Sequence, residues 1–446
     1  MTLPSVRRRG GLVPELSPDG RSAVRGGVWG NYVDQVNIFL PVTALAPALP
    51  ALAGPHATAT TAALVIMATL IGRPVGAMVF GQVADRIGRT RTTKIALAGT
   101  AACTLGIAAV PDWHMLGAAT IGLLIALRFV GGAFLAGEYT SAIPLAMEWS
   151  TPRRRGLVSG RIMAMAPWAQ ATIAFVTVAL LALLGPDAYA AWGWRVSFVA
   201  GGLASLVMLV FYARRVADAP VFVRRRRTPG EAVGLADVLA GRWAGPFWRV
   251  FGLMTGLWFC TNMVVIVVAQ RLPGLGITPL EVSLVLGVAS VAQALVMART
   301  GHLSTLTGRR RFFVVVGTLA AAAAPALWWG VLGRPDAAGP GALGVALVGV
   351  AALQVSTVTL YGPIGAYLNE IFPTRVRATA YGTAYSLSIV GPALYPFYLP
   401  PLVDRFGPDL PVMALLALGG LMVAGCAAAG PAMTPTDIER NTLDAH

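Results

Sequence analysis

Apolar residues run through the chain in long blocks, separated by short polar turns that carry arginine. A helix needs about 20 mostly apolar residues to cross a bilayer. Twelve blocks reach that scale: 27–52, 58–83, 93–110, 119–149, 157–184, 193–213, 247–271, 278–300, 312–332, 341–370, 378–401 and 410–430. Blocks longer than this imply tilt or extension past the lipid core. Prolines inside them (Pro41, Pro47, Pro74, Pro144, Pro167, Pro363, Pro392) are tolerated in multispan bundles, where neighbours satisfy the freed backbone. The first block is too long for a removable signal and has no small-residue cleavage site, so it reads as a retained helix. The predicted organisation is a tail 1–26, a six-helix bundle 27–213, a linker 214–246, a second six-helix bundle 247–430 and a tail 431–446.

Composition fixes the class. Of 446 residues, 56% are apolar and 12% charged, about half the charge of a soluble protein. The net charge is nevertheless +15. With twelve spans, 28 basic residues fall in the tails and turns of one side and only Arg195, Arg271, Arg334 and Arg405 on the other; Arg73 and Arg128 lie within spans. The positive-inside rule then puts both termini in the cytoplasm of a plasma (inner) membrane protein. Nucleic-acid binding needs a soluble basic domain, and none is present; the run Arg224–Arg227 reads as a solvated linker. Three scattered cysteines and four peripheral histidines make no disulfide framework or metal site. With no metal spacing, phosphate loop or nucleophile–base pair, the expectation is no cofactor and no enzyme.

The chain repeats itself. Gly81-Gln-Val-Ala-Asp85-Arg86-Ile-Gly88-Arg89 after span 2 matches Gly301-His-Leu-Ser-Thr305-Leu-Thr-Gly308-Arg309 after span 8. Glu148-Trp-Ser-Thr-Pro-Arg-Arg-Arg155 after span 4 matches Glu370-Ile-Phe-Pro-Thr-Arg-Val-Arg377 after span 10. Two signatures at nearly one offset indicate duplicated six-helix halves, related by an axis along the membrane normal.

Gly81–Arg91 resembles the loop signature of the major facilitator superfamily. Arg73-Pro-Val-Gly76, Arg128-Phe-Val-Gly-Gly with Gly137-Glu138-Tyr139, Trp192-Gly-Trp-Arg195-Val-Ser-Phe198 and Gly362-Pro363 leading to Arg377 resemble its metabolite:proton symporter branch. That branch imports carboxylates and zwitterions such as 2-oxoglutarate, shikimate, citrate and betaines. The resemblance implies an all-α fold of twelve transmembrane helices in two pseudo-symmetric bundles. It also implies proton-coupled uptake of a small organic anion or zwitterion by alternating access, by a monomer in the lipid bilayer. In span 1 the branch carries two acids three residues apart, whereas here Asp34 is followed by Asn37. Two rivals are a drug:proton antiporter, which span 5 disfavours with Ala166-Pro167-Trp168 in place of a glycine-rich motif, and a non-transporting membrane sensor.

An ionisable side chain in a span costs about 2.5–3.5 kcal/mol to insert and is kept mostly for function or pairing. Four stand out: Asp34, Arg73, Arg128 and Glu138, all in the first half. Asp34 is the candidate proton site, with Arg128 as its partner and Glu138 as the alternative. Arg73 offers a planar fork for a carboxylate. Asn37, Gln170, Asn262, Gln293, Gln354, Tyr361, Tyr381 and Tyr385 are further candidates for the substrate site. Asp85, Arg89, Glu148, Arg155, Glu370 and Arg377, at cytoplasmic helix ends, are candidates for a gate of ion pairs between the halves.

Overall fold

The computed structural model describes residues 17–54, 59–218, 235–334, 339, 341–373 and 376–433, and every regular element among them is a helix. Among these residues, ten helical stretches are long and apolar enough to cross a membrane. One of them, Pro152–Arg215, runs 64 residues. At 1.5 Å per residue that is about 96 Å, far more than one bilayer. It breaks at Gly185, φ 75°, and at the wide π-helical turn Tyr189–Gly193, so it crosses twice. A further crossing, Arg89–Ala108, carries Arg89, Arg91 and Lys94 in its first turns, which lowers its mean hydropathy. Twelve crossings result.

Span 1 starts at Pro18, well before the apolar block. Ser17 caps it by accepting from the Gly20 N–H, and Pro18 and Asp19 fill the first turn. Those are start signals that hydropathy does not register. The others are span 2 Ala59–Ile87, span 3 Arg89–Ala108, span 4 Ala119–Glu148, span 5 Pro152–Met163 with Met165–Ala188, and span 6 Trp194–Arg215. Span 7 is Ala244–Thr261, prolonged through the π-helical Asn262–Val267 to Val268–Arg271. Span 8 is Pro279–Thr307 and span 9 Arg309–Trp328. Span 10 is broken between Ala342–Val358 and Ile364–Ile371. Span 11 comprises Arg377–Leu387, Val390–Ala393 and Tyr395–Phe406, and span 12 is Leu410–Ala428.

Spans 1–6 and 7–12 pack as two bundles of the same plan. Span 2 lies on span 4 as span 8 lies on span 10; span 3 lies on span 6 as span 9 lies on span 12. The repeated loop keeps its backbone as well as its letters. Gly88 (φ 108°) and Gly308 (φ 86°) each precede a span that opens with arginine, and a side chain at positive φ would be strained there. The bundles meet along spans 5 and 8 and along spans 2 and 11.

Near the arginine-rich end the first of these seams brings backbone to backbone. A Cβ on Gly301 would run into the Gly156 carbonyl oxygen and the Gly160 backbone. Gly301→Ala is therefore expected to lower the unfolding temperature, by an overpacking cost of about 1–3 kcal/mol. Gly425→Ala is the control: its Cβ would meet nothing within 4 Å, so helix propensity alone should leave stability equal or higher. Thermal unfolding in detergent reads both signs, and two equal responses would remove the packing argument.

Candidate functional site

Between the bundles lies a cavity with about 60 Å³ of water-accessible space, about 500 Å³ with its open mouth. The first bundle contributes Asn31, Gln35 and Phe39, one stripe of span 1, with Tyr139 and Gln170; the second contributes Trp258, Thr261, Gln293, Tyr361 and Tyr385. The amides of Gln170 and Gln293 each keep a buried atom without a hydrogen-bond partner. No charged side chain lines the wall among the described residues. It can therefore hold a small polar solute through amide, hydroxyl and ring contacts, with charge supplied from behind the wall.

Arg73 supplies one such charge. Its guanidinium carbon sits 5.6 Å from the ring centre of Tyr139, 5.8 Å from Trp258 and 5.5 Å from Tyr385, so three wall-forming rings separate it from the cavity. Tyr139 and Tyr385 stack at 4.0 Å across the two bundles, and the Trp258 indole N–H donates to the Tyr385 carbonyl at 3.1 Å. Cation–π attraction is worth about 2 kcal/mol or more when desolvated. Nε and Nη2 of Arg73 nevertheless stay buried without a hydrogen-bond acceptor.

The first bundle's acids are also off the cavity wall. Asp34 is 1% exposed and Glu138 2%, and none of their four carboxyl oxygens has a hydrogen-bond partner. Asp34 is within electrostatic reach of Arg73 and of Glu138. This corrects the expected Asp34–Arg128 pair. The Arg128 guanidinium turns away, donating to the Asn37 backbone oxygen at 2.9 Å and lying 4.9 Å over the Phe198 ring. Asn37, six residues from Asn31, is rotated about 120° off the cavity stripe by the 3.6-residue helical repeat. Its amide is consumed by Val33, Ser205 and Thr104, so it packs the bundle and does not reach the cavity. Asn262, Gln354 and Tyr381 are buried but also off the wall; Tyr381 stacks on Tyr139 one helical turn from Tyr385.

At the arginine-rich end the bundles are tied by charge. Glu148 Oε1 meets Arg89 Nη2 of its own bundle at 2.9 Å and Arg377 Nη1 of the other at 3.1 Å, all nearly inaccessible. The repeat-related Glu370 takes a two-pronged contact from Arg309, at 3.1 and 3.0 Å. Arg155, the counterpart of Arg377, lies within electrostatic reach of Glu370 and Glu148. Each acid thus serves its own bundle's loop arginine and faces an arginine from the other bundle. The Asp85 side chain lies outside the described residues. Ser159 adds a neutral tie, its hydroxyl donating to the Gly362 oxygen at 2.6 Å and accepting from the Ala366 N–H at 3.1 Å. The elements at the opposite end pack chiefly within their own bundle.

Asn31, Gln35, Tyr139, Trp258 and Thr261 escaped the sequence reading. The stripe 31–35–39 carried a helical-period signal, and Tyr139 followed Glu138 directly; nothing in the sequence distinguished Trp258 from other apolar-face aromatics.

The family model described as Major Facilitator Superfamily matches residues 35–396. The chain is 30% identical to the inner membrane metabolite transport protein YhjE of Escherichia coli (strain K12), over 88% of this chain and 90% of that protein. It is 26% identical to a citrate-proton symporter of Salmonella typhi, over 80% and 82%, and 25% identical to a proline/betaine transporter of Salmonella typhimurium, over 73% and 65%. Its fold superposes on the xylose transporter XylE from E. coli, solved in a partially occluded inward open conformation, with a TM-score of 0.70, 17% identity, and 92% and 97% coverage.

Proposed function

Because the chain belongs to the major facilitator superfamily, we propose that it is a proton-coupled importer of a small organic anion or zwitterion, working by alternating access. The arginine-rich end then faces the cytoplasm, with both termini there, and the chain works as a monomer in the inner membrane. One observation carries the reading: a neutral cavity between the bundles is backed by one buried guanidinium that also stands in the field of a buried acid. Two carboxylates compete for Arg73. When Asp34 is ionised it draws on the Arg73 charge; when Asp34 is protonated, that charge is free for a substrate carboxylate, which exchanges ring contacts for a two-pronged hydrogen-bonded pair. Binding the proton first therefore favours binding the carboxylate, and rocking of the bundles delivers both. The names of the citrate and proline/betaine relatives support a carboxylate-bearing solute.

Vesicles reconstituted with the protein, given an inward proton gradient and labelled citrate, proline or glycine betaine, test the reading. Accumulation of one of them above equilibrium is expected; no accumulation of any sinks it. Arg73→Lys should raise the half-saturation concentration about tenfold or more, because an ammonium lacks the planar fork. Unchanged affinity in that variant would remove Arg73 from carboxylate binding.

A further inference from the structure

A second cavity, about 1050 Å³ with its open mouth, lies at the arginine-rich end of the second bundle, between the start of span 9, the end of span 12 and span 10. Its wall is divided by polarity. Arg310 and Arg311 form one side, both exposed and neither making a hydrogen bond or ion pair among the described residues. Val314, Val315, Pro431 and Met433 form the other, and Val315 is 51% exposed. The Arg309–Glu370 pair closes the inner end.

We propose that this cavity is a binding site for an anionic phospholipid, its phosphate on Arg310 and Arg311 and the upper part of an acyl chain along Val314 and Val315. The argument is complementarity of charge and of depth. Two unpaired guanidiniums at headgroup level need an anion, and an apolar strip descending from them along a lipid-facing span needs hydrocarbon. A soluble phosphate would satisfy the first and leave the second wet. Arginine offers the forked donors that phosphate oxygens accept, and basic pockets between spans on the cytoplasmic side hold anionic headgroups. The site is independent of the transported solute.

The test is thermal unfolding of the purified full chain in mixed micelles containing phosphatidylglycerol or phosphatidylcholine with the same acyl chains. Ligand binding to the folded state raises the unfolding temperature by mass action. Phosphatidylglycerol should raise it above the phosphatidylcholine value. The double variant Arg310→Gln/Arg311→Gln should lose most of that rise, and Val315→Asp should diminish it. The control Arg91→Gln/Arg153→Gln, exposed arginines off this wall, should keep it. No phosphatidylglycerol effect, an undiminished effect in the double variant or an equal loss in the control overturns the proposal. So does an equal rise with inorganic phosphate alone. A rise seen only after residues 434–446 are removed would assign the cavity to that segment instead.

Discussion

Glu148→Gln is expected to open the arginine-rich end of the bundle pair. Among the described residues, the carboxylate of Glu148 is the one anion in contact with both Arg89 and Arg377, and all three side chains are at most 2% exposed. Removing its charge leaves two guanidiniums facing each other in a dry interface. Breaking a buried pair from one side costs about 3–5 kcal/mol. Rocking of the bundles relieves that cost by admitting water, so the closed state loses its advantage by a factor of about a hundred or more. Arg377→Gln removes the cross-bundle contact alone and should shift the balance less, since Arg89 keeps Glu148. A cysteine placed on the cavity wall by Met297→Cys reads the outcome, with Cys103, Cys260 and Cys426 changed to serine. Its reaction with an impermeant maleimide from the arginine-rich side should accelerate strongly in Glu148→Gln and moderately in Arg377→Gln. Unchanged rates in both would mean that the Gly156–Gly301 seam, and not charge, keeps that end shut.

Asp34→Asn should separate the flow of solute from the proton gradient. The variant keeps nearly the same volume but carries no titratable proton, and Arg73 loses the acid on span 1 that stands within its electrostatic reach. Accumulation driven by an inward proton gradient is expected to vanish, while exchange of labelled for unlabelled solute continues at a reduced rate. Glu138 also faces Asp34, and Tyr385 of the other bundle feels its charge. Glu138→Gln is therefore the necessary companion. If it abolishes accumulation and Asp34→Asn does not, the proton site moves one helix over, to span 4. Full accumulation in both variants would remove the acid pair from coupling. The pH dependence has a definite sign: solute affinity in the unmodified protein should rise as pH falls through the titration of Asp34, because protonation frees Arg73. Asp34→Asn should show the high affinity at every pH.

Much of the architecture was legible in advance because it rests on local and compositional physics. Twelve apolar blocks, the one-sided arginines and the repeated Gly–Arg and Glu–Arg signatures follow from solvation rules that hold whatever the neighbours are. Gly88 and Gly308 show how far this goes, since the letter Gly already marks a backbone that other residues resist. Helix ends were less legible. Span 1 extends back to Pro18 because Ser17 caps it, and a polar first turn is invisible to a hydrophobicity count.

The site divides the same way. Insertion cost alone selected Asp34, Arg73, Arg128 and Glu138 from all the charged residues, since a buried charge in a span is conspicuous from composition. Which of them face one another was not in the sequence. Asp34 and Arg128 looked like partners, and positions 34 and 37 lie only about 60° apart around the helix, so helical period alone does not tell which of them Arg128 meets. The local packing of Phe198 and the Asn37 backbone then captures Arg128, and Asp34 is left to Arg73. The aromatic partition is likewise a tertiary product. Tyr139 and Tyr385 lie far apart in the chain and stack only because spans 4 and 11 meet across the bundle interface. The sequence by itself determined a twelve-span, duplicated membrane protein with most of its basic residues on one face, because burial of apolar and polar groups is decided residue by residue. Only the tertiary structure decided the pairings, because contact between helices depends on the rotation of each about its axis, and no single helix records its neighbour's.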